Sequence, residues 1–271
     1  METSTDYLLG VSQTELERLH FQHSVWGHVT NKFFDRLNIQ KEWKCLDVGA
    51  GPGFVSMDLR ERVGENGEIT VLEPSKFYLE WFEQEAGKKG WKNITFVNGT
   101  AESSQLPEKY YDLIFARWVI GFVSDPEKFL GQLLRSLRPG GVIAIQDYIY
   151  EGLSLFPRGG PFEGMPDVIR AYWRSGSGDP DIAARIPMMF RKFGIRLKEY
   201  SPNVLSGGPE SGVMEWAHRF FTTHIQTMVD KGIITQHQGD AMWKDWLDHR
   251  SNPDAIFVSP IVFDIAGVLP A

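Results

Sequence analysis

Short apolar segments alternate with longer amphipathic ones between residues 43 and 148. The runs at 69–72, 113–116 and 142–145 are almost continuously apolar, as in strands buried on both faces. The intervening segments, such as PEKFLGQLLRSL at 126–137, repeat apolar residues at three- and four-residue spacing, which is typical of amphipathic helices. This alternation predicts βαβ units that build a doubly wound α/β sheet, mostly parallel, with helices on both faces.

A helical pattern precedes this region. The segment Gln13–Leu37 predicts one or two helices, with Ser12 or Thr14 as N-cap. We expect its apolar face to pack on the sheet or its ligand. That face is formed by Leu16, Leu19, His23, Trp26, Thr30, Phe33 and Leu37.

The second half of the chain carries a looser pattern. EGLSLFPRGGPFEGMP at 151–166 is rich in glycine and proline and predicts an irregular flap. A helix at 179–193 and a strand at 194–203 should return the chain to the sheet. Helices at about 210–231 and 235–249 follow, before a last strand within 255–270. The tryptophans and methionines of these helices predict core packing, with some of them lining an apolar pocket.

Composition narrows the classes of partner. The formal charge of -7 and pI near 5.5 disfavour a nucleic-acid partner, since phosphate backbones are bound by clustered Lys and Arg. The single cysteine, Cys45, excludes an internal disulfide. The first residues lack a basic segment followed by an apolar run, and no amphipathic basic helix is evident. We therefore expect a cytoplasmic protein that binds no membrane.

The candidate chemistry begins at a glycine loop. Gly49, Gly51 and Gly53 follow the strand CLDV and precede a helix, a context in which a bare backbone lets a ligand approach closely. Their G-x-G-x-G spacing differs from the dinucleotide fingerprint G-x-G-x-x-G, and Pro52 removes one backbone donor. No Lys or Arg lies between 50 and 59, while Asp58 adds negative charge. The loop favours a ligand without phosphates.

The motif DVGAGPG at 47–53 resembles the first motif of class I S-adenosylmethionine-dependent methyltransferases, in which an acidic residue and a spacer precede G-x-G-x-G. Glu73 stands 20 residues after Gly53, where the resemblance implies an acidic side chain that accepts hydrogen bonds from the ribose hydroxyls. The cofactor carries an ammonium, a carboxylate, a sulfonium and a ribose. An acidic, glycine-rich pocket complements these groups.

Three further segments match the family in the right order. NGTAESSQLP at 98–107 resembles its adenine-side loop, with Thr100 where the family commonly has an acidic residue. YDLIFARWVIGFVSDP at 111–126 resembles the fourth motif, whose residues 116–119 would lie beneath the methionine moiety, and LRPGG at 137–141 resembles the turn before the fifth strand. The resemblance is strong over residues 40 to 150. It implies a Rossmann-like, seven-stranded, mostly parallel sheet with helical lid insertions.

The pattern of elements, taken together with the resemblance, predicts one methyltransferase domain over 1–271. Its parts are an N-terminal helical lid (1–40), a cofactor-binding core (41–150), a flap (151–178), a return to the core (179–205), a helical insertion (206–252) and a last strand (253–271).

Site residues follow from the motifs and from the ends of the strands. The cofactor-binding set is Tyr7, Gln22, Asp47, Gly49, Ala50, Gly51, Gly53, Glu73, Pro74, Thr100, Ala101, Glu102, Arg117 and Trp118. For Arg117 a surface salt bridge is an equal alternative. The candidate general bases are His23, Asp147 and Tyr148. We expect no metal, because His20, His23 and His28 have no completing ligand cluster.

These features together predict an S-adenosyl-L-methionine-dependent methyltransferase. It would move a methyl group to a small apolar or aromatic acceptor by in-line displacement, release S-adenosyl-L-homocysteine, and act as a monomer or homodimer. One alternative is an NAD(P)- or nucleotide-binding oxidoreductase. Another is a non-catalytic S-adenosylmethionine-binding module. The sequence leaves open whether oxygen, nitrogen or carbon is methylated.

Overall fold

The computed structural model describes residues 11–176 and 178–271, so Tyr7 lies outside the described residues. Its strands are β1 (Lys44–Val48), β2 (Glu68–Glu73), β3 (Ile94–Asn98), β4 (Tyr111–Arg117), β5 (Leu137–Ile149), β6 (Ser154–Phe156), β7 (Arg196–Asn203), β8 (Ser206–Gly207), β9 (Ile256–Val258) and β10 (Ile261–Val268). Its α-helices are α1 (Gln13–Leu37), α2 (Phe54–Val63), α3 (Lys76–Lys88), α4 (Pro126–Ser136), α5 (Met165–Ser175), α6 (Ile186–Lys192), α7 (Gly212–Asp230) and α8 (Gln236–Arg250).

Seven strands form one sheet in the order β3-β2-β1-β4-β5-β10-β7. The first five are parallel to one another, and β10 runs antiparallel to both β5 and β7. The predicted doubly wound, mostly parallel α/β fold is confirmed. The order reverses between β1 and β4, so their carboxyl ends flank the crevice where ligands bind in such sheets.

Helices cover both faces because successive strand residues point to opposite sides. On one face, Leu46 and Ile114 pack in a cluster with α4 and α6. On the other, Cys45 and Phe115 pack with α1, α2 and α3. The near-continuous apolar runs in the sequence reflect this burial on two sides.

A second core lies beyond the main sheet. It joins aromatic and aliphatic residues of α5, α7 and α8 to a small antiparallel sheet of order β6-β9-β8. The sequence pattern indicated an irregular flap over 151–166, but β6 lies within it and α5 begins at its end. The helix predicted at 179–193 is a 3-10 turn, Ile182–Ala184, followed by α6. The final segment supplies two strands, β9 and β10, where one was predicted.

Helix α1 is a single helix of 25 residues. Ser12 is its N-cap and accepts a hydrogen bond from the backbone of Glu15, while Asn38 ends it in the left-handed conformation. Its second half packs on the sheet through Phe33 and Phe34. Its first half extends to the aromatic second core, which Trp26 joins. None of the helices within residues 11–176 and 178–271 has the length and apolar character to cross a membrane.

Candidate active site

The glycine loop turns directly after β1. Gly49, Gly51 and Gly53 all have positive φ, at 62°, 55° and 78°, which favours glycine. A Cβ at Gly49 would lie 2.6 Å from Val119, and one at Gly53 would lie 2.0 Å from Phe82. A Cβ at Gly51 would meet nothing within 4 Å. Packing therefore accounts for the outer two glycines, whereas the middle one leaves open space above the backbone.

Asp47 sits at the end of β1, below the loop. Its side chain is buried, and its Oδ2 accepts a hydrogen bond from the Ser56 hydroxyl at 2.5 Å. Burial raises the pKa of Asp47 to about 7, although the Ser56 bond and the positive charge of Arg117 act in the opposite direction. A bound cation near this carboxyl would favour its ionised form.

Glu73 ends β2 and braces the loop. Its Oε2 accepts from the Gly51 amide and its Oε1 from the Ser75 amide, both at 2.8 Å. Burial raises the pKa of Glu73, opposed by these two amides. A carboxylate offers about four lone-pair positions. The remaining ones are available to hydroxyl groups of a ligand that lies against Gly51.

The adenine-side residues form a turn after β3. The Thr100 hydroxyl accepts from the Ser103 amide at 3.3 Å and lies 3.2 Å from the Ser103 hydroxyl. Ala101 is buried, whereas Glu102 is exposed. The two remaining loop residues of the predicted set are Ala50, which is half-buried, and Pro74, which is exposed.

Arg117 ends β4 at the same edge of the sheet. Its guanidinium donates to Thr30 Oγ1 at 3.0 Å and lies 3.3 Å from His23 Nδ1. Burial lowers the pKa of Arg117 to about 10, while Asp47 and Asp58 act to raise it. The guanidinium is still charged at neutral pH, and its two hydrogen-bond partners are uncharged there. An incoming carboxylate would pair with it.

His23 is held between opposite charges. Its Nε2 lies 3.5 Å from Asp58 Oδ2, and its ring stacks on Phe54. Burial and then the positive charge of Arg117 lower the pKa of His23 to about 3. The imidazole is therefore neutral at physiological pH and only weakly basic.

Asp147 lies within β5, beside the segment that follows β4. It is buried, and its carboxylate accepts the amides of Tyr148 at 2.9 Å and Gly121 at 3.2 Å. Burial raises the pKa of Asp147 to about 7, against the effect of these amides. Through these two hydrogen bonds the Asp147 carboxylate stabilises the turn after β4.

Trp118 and Tyr148 form an aromatic pair next to Arg117. Trp118 has a positive φ of 55°, a conformation that bulky residues rarely adopt and that clusters at functional sites. Its ring stacks on Tyr148 with centroids 5.5 Å apart and an interplanar angle of 7°. Burial raises the pKa of Tyr148 well above its usual value, so its hydroxyl keeps its proton.

This pair lines a cavity between the crevice and the second core. Nine of the fifteen lining residues are aromatic, among them Tyr150, Trp173 and Trp216. The space inside it that is open to water-sized molecules is about 50 Å³, and the cavity is partly open to solvent. Apart from tyrosine and tryptophan, its polar lining residues are Arg18 and Gln22. Gln22, predicted over the cofactor, thus lies in the wall of this cavity.

A buried chain of hydrogen bonds fastens α1 to the site, and the sequence did not reveal it. Arg117 donates to Thr30, the Thr30 hydroxyl donates to Gln146 Oε1 at 2.7 Å, and Gln146 Nε2 donates to Asp264 Oδ1 at 2.5 Å. Arg36 closes the chain on Asp264 Oδ2 at 2.6 Å. Thr30 was predicted on the inward face. Its partners, Arg117 on β4 and Gln146 on β5, are 87 and 116 residues away in sequence.

The described residues hold no group of three or more His, Cys, Asp or Glu side chains placed to bind a metal ion.

Comparison with known proteins gives matches in the same region. A family model for a methyltransferase domain matches residues 39–155. A demethylmenaquinone methyltransferase of Anoxybacillus flavithermus is 31% identical over 122 residues, 45% of this chain and 50% of that protein. A ubiquinone/menaquinone biosynthesis C-methyltransferase of Psychromonas ingrahamii is 28% identical over 138 residues, 49% of this chain and 54% of that protein. The chain spans about half the length of these curated relatives.

Solved structures match nearly the whole chain at low identity. A SAM-dependent methyltransferase from Aquifex aeolicus has a TM-score of 0.56 at 16% identity, covering 96% of this chain and 100% of that one. The YcgJ protein of Bacillus subtilis has a TM-score of 0.62 at 20% identity, covering 90% of this chain and 99% of that one. These likenesses establish the shared fold.

The buried hydrogen-bond chain predicts that replacing the Thr30 hydroxyl with a methyl group will destabilise the protein. Thr30→Val keeps the shape of the side chain but removes the acceptor of one Arg117 N–H and the donor to Gln146 Oε1. The free energy of unfolding, measured with urea, should fall by about 1–3 kcal/mol. Thr14→Val, on the exposed first turn of the same helix, is the control and should change it by less than about 0.5 kcal/mol. Equal effects of the two substitutions would contradict a stabilising role for the buried hydrogen-bond chain.

Proposed function

We propose that the protein is a class I S-adenosylmethionine-dependent methyltransferase that methylates a small apolar or aromatic acceptor, since residues 39–155 match a model of a methyltransferase domain. The cofactor would lie in the crevice at the carboxyl ends of β1, β2 and β4. The acceptor would lie in the aromatic cavity lined by Trp118 and Tyr148. No phosphate or nicotinamide is required by this arrangement.

The open space over Gly51, beside two buried carboxyls, carries the cofactor assignment. Gly51 leaves its backbone uncovered, and Glu73 stands within hydrogen-bond distance of its amide. Asp47, below the loop, favours a cation once ionised. Arg117, which is close enough to Asp47 for their charges to interact, offers a positive charge to a carboxylate. These groups complement the ribose hydroxyls, the ammonium and the carboxylate of S-adenosylmethionine. Phosphates would find no basic side chain on the loop.

When bound, the cofactor supplies a methyl group activated as a sulfonium. The protein's contribution is then alignment and exclusion of water. Trp118 and Tyr148 lie between the crevice and the cavity, so their rings would orient a flat acceptor towards the cofactor. The first half of α1, with Gln22 in the cavity wall, would keep solvent from the reacting atoms. Burial of the aromatic wall supplies the acceptor's binding energy.

The need for a base depends on the atom that is methylated. A hydroxyl or a protonated amine must lose a proton to accept the methyl group, so it needs a base. Many carbon acceptors and neutral amines accept the methyl group first and lose a proton afterwards. Of the three candidates, Tyr148 lines the cavity, and its raised pKa suits it to donate a hydrogen bond and position the acceptor. Asp147, with a pKa near 7, is the stronger base at neutral pH but is engaged by two amides. His23, with a pKa near 3, is the weakest.

Calorimetric titration tests the cofactor. S-adenosylmethionine and S-adenosylhomocysteine should bind, and Glu73→Ala should weaken both roughly ten- to a hundredfold, because a charged hydrogen-bond partner is lost. Glu80→Ala, an exposed change on the neighbouring α3, should have no effect. Binding of NAD in place of these ligands would favour an oxidoreductase. Binding of S-adenosylmethionine without turnover of any acceptor would favour a non-catalytic module.

Two glycine substitutions separate ligand contact from backbone strain. Gly51 and Gly90 both have positive φ, 55° and 69°, and a Cβ at either meets nothing within 4 Å. Alanine at either position should lower the free energy of unfolding by a similar amount, roughly 1–2 kcal/mol. Only Gly51→Ala should also weaken S-adenosylhomocysteine binding, by about tenfold or more, because its methyl group occupies the ligand's space. Equal affinities of the two variants would show that nothing lies against Gly51.

A further inference from the structure

The polar end of the aromatic cavity is built by the first half of α1. Arg18 and Gln22, one helical turn apart, line the cavity there. The Arg18 guanidinium is paired with Glu15 through two hydrogen bonds of 2.7 Å each. Both members of this pair are buried. Its charges offset each other, so this end of the cavity is polar and close to neutral.

The orientation of the Gln22 amide is fixed by its neighbours. Its Oε1 accepts from Arg18 Nη1 at 3.1 Å and from Trp216 Nε1 at 2.9 Å. Both of those groups only donate hydrogen bonds. The atom that they share must therefore be the amide oxygen, and the amide nitrogen takes the other position.

The Gln22 amide nitrogen carries two N–H donors. Within residues 11–176 and 178–271, Gln22 Nε2 donates to no acceptor, whereas the oxygen of the same amide has two donors. The side chain belongs to a residue that is only 8% exposed, and the space beside it is the cavity. Polar groups of this kind, placed in a mostly apolar wall, orient a ligand and give specificity. A ligand oxygen in the cavity would accept a hydrogen bond from this nitrogen.

We propose that Gln22 is a specificity-determining residue, whose amide nitrogen donates a hydrogen bond to a carbonyl or hydroxyl oxygen on a planar aromatic acceptor. The proposal rests on the proposed function, since it takes the aromatic cavity to be the acceptor site. It narrows the acceptor class from apolar or aromatic molecules to oxygen-bearing aromatic ones.

The charges around the cavity favour a neutral acceptor. Arg18 is already offset by Glu15, and burial raises the pKa of both Tyr148 and Tyr150, so their hydroxyls stay protonated. A cationic acceptor would meet the guanidinium of Arg18 without a free carboxylate in the cavity wall. The aromatic rings bind the flat body of the molecule, and Gln22 selects its oxygen.

Two probes of matched shape test this role. In 2-acetylnaphthalene a carbonyl oxygen stands where 2-isopropenylnaphthalene has a methylene carbon. Their dissociation constants can be read from tryptophan fluorescence, since Trp118, Trp173 and Trp216 line the cavity. Gln22→Glu keeps the shape and the bonds from Arg18 and Trp216, but a carboxylate has no N–H to donate. The affinity for the ketone relative to the hydrocarbon should fall roughly three- to tenfold in this variant.

Because the affinities are compared as a ratio, any effect of a substitution that changes the binding of both probes equally is removed. Gln13→Glu makes the same charge change at an exposed position of α1 and should leave the ratio unaltered. Gln22→Met, which lacks any N–H donor, should lower the ratio as well and replaces Gln22→Glu if that protein does not fold. An unaltered ratio in either folded Gln22 variant would overturn the proposal.

Titration of the same samples with S-adenosylhomocysteine separates this proposal from the proposed function. If S-adenosylhomocysteine binds and the ratio does not respond to Gln22, only the role of Gln22 is overturned. If S-adenosylhomocysteine does not bind and the ratio responds as expected, the methyltransferase proposal fails while oxygen recognition by Gln22 is supported.

Discussion

The buried hydrogen-bond chain from Arg117 through Thr30 and Gln146 to Asp264 fixes helix α1 relative to the sheet. Each side chain in it donates to the next, and Thr30, Gln146 and Asp264 are almost completely inaccessible to solvent. Buried polar groups are costly unless every one is paired. The chain therefore permits one position of α1 across β4, β5 and β10, and disfavours sliding by a helical turn.

This fixed position gives the two halves of α1 different tasks. The second half contributes Phe33 and Phe34 to the main core. The first half carries Arg18 and Gln22 into the cavity wall, and His23 to the side of Arg117. One helix thus links the crevice at the ends of β1 and β2 to the aromatic cavity beyond Trp118. The proposed donor and acceptor sites are neighbours because α1 and the end of β4 meet at Arg117.

The sequence predicted those parts of the molecule whose signals are local. The apolar runs identified the strands, and the glycine loop with Glu73 placed the crevice, because residues that end parallel strands meet at one edge. The helix α5 was missed because the glycines and prolines before it dominate the pattern, although Pro166 occupies its first turn. The Glu15 and Arg18 pair has the spacing of an ordinary exposed helix pair. Its burial depends on α7, which is about 200 residues away.

The placement of Gln22 shows the same limit. Helical periodicity predicts which residues share a face, but it does not predict what that face meets. Gln22 lines the cavity beside Trp216 of α7, whose indole N–H donates a hydrogen bond to the Gln22 amide oxygen. No spacing in the sequence indicates this pairing. The second core, made by α5, α7, α8 and the small sheet, likewise depends on long-range packing of aromatic side chains.

The most direct test is a crystal structure of the protein with S-adenosylhomocysteine. The account predicts that the ribose hydroxyls lie on Glu73, that the ligand covers Gly51, and that the thioether sulfur faces the cavity lined by Trp118 and Tyr148. A ligand bound elsewhere, or one whose sulfur is separated from that cavity, would contradict it.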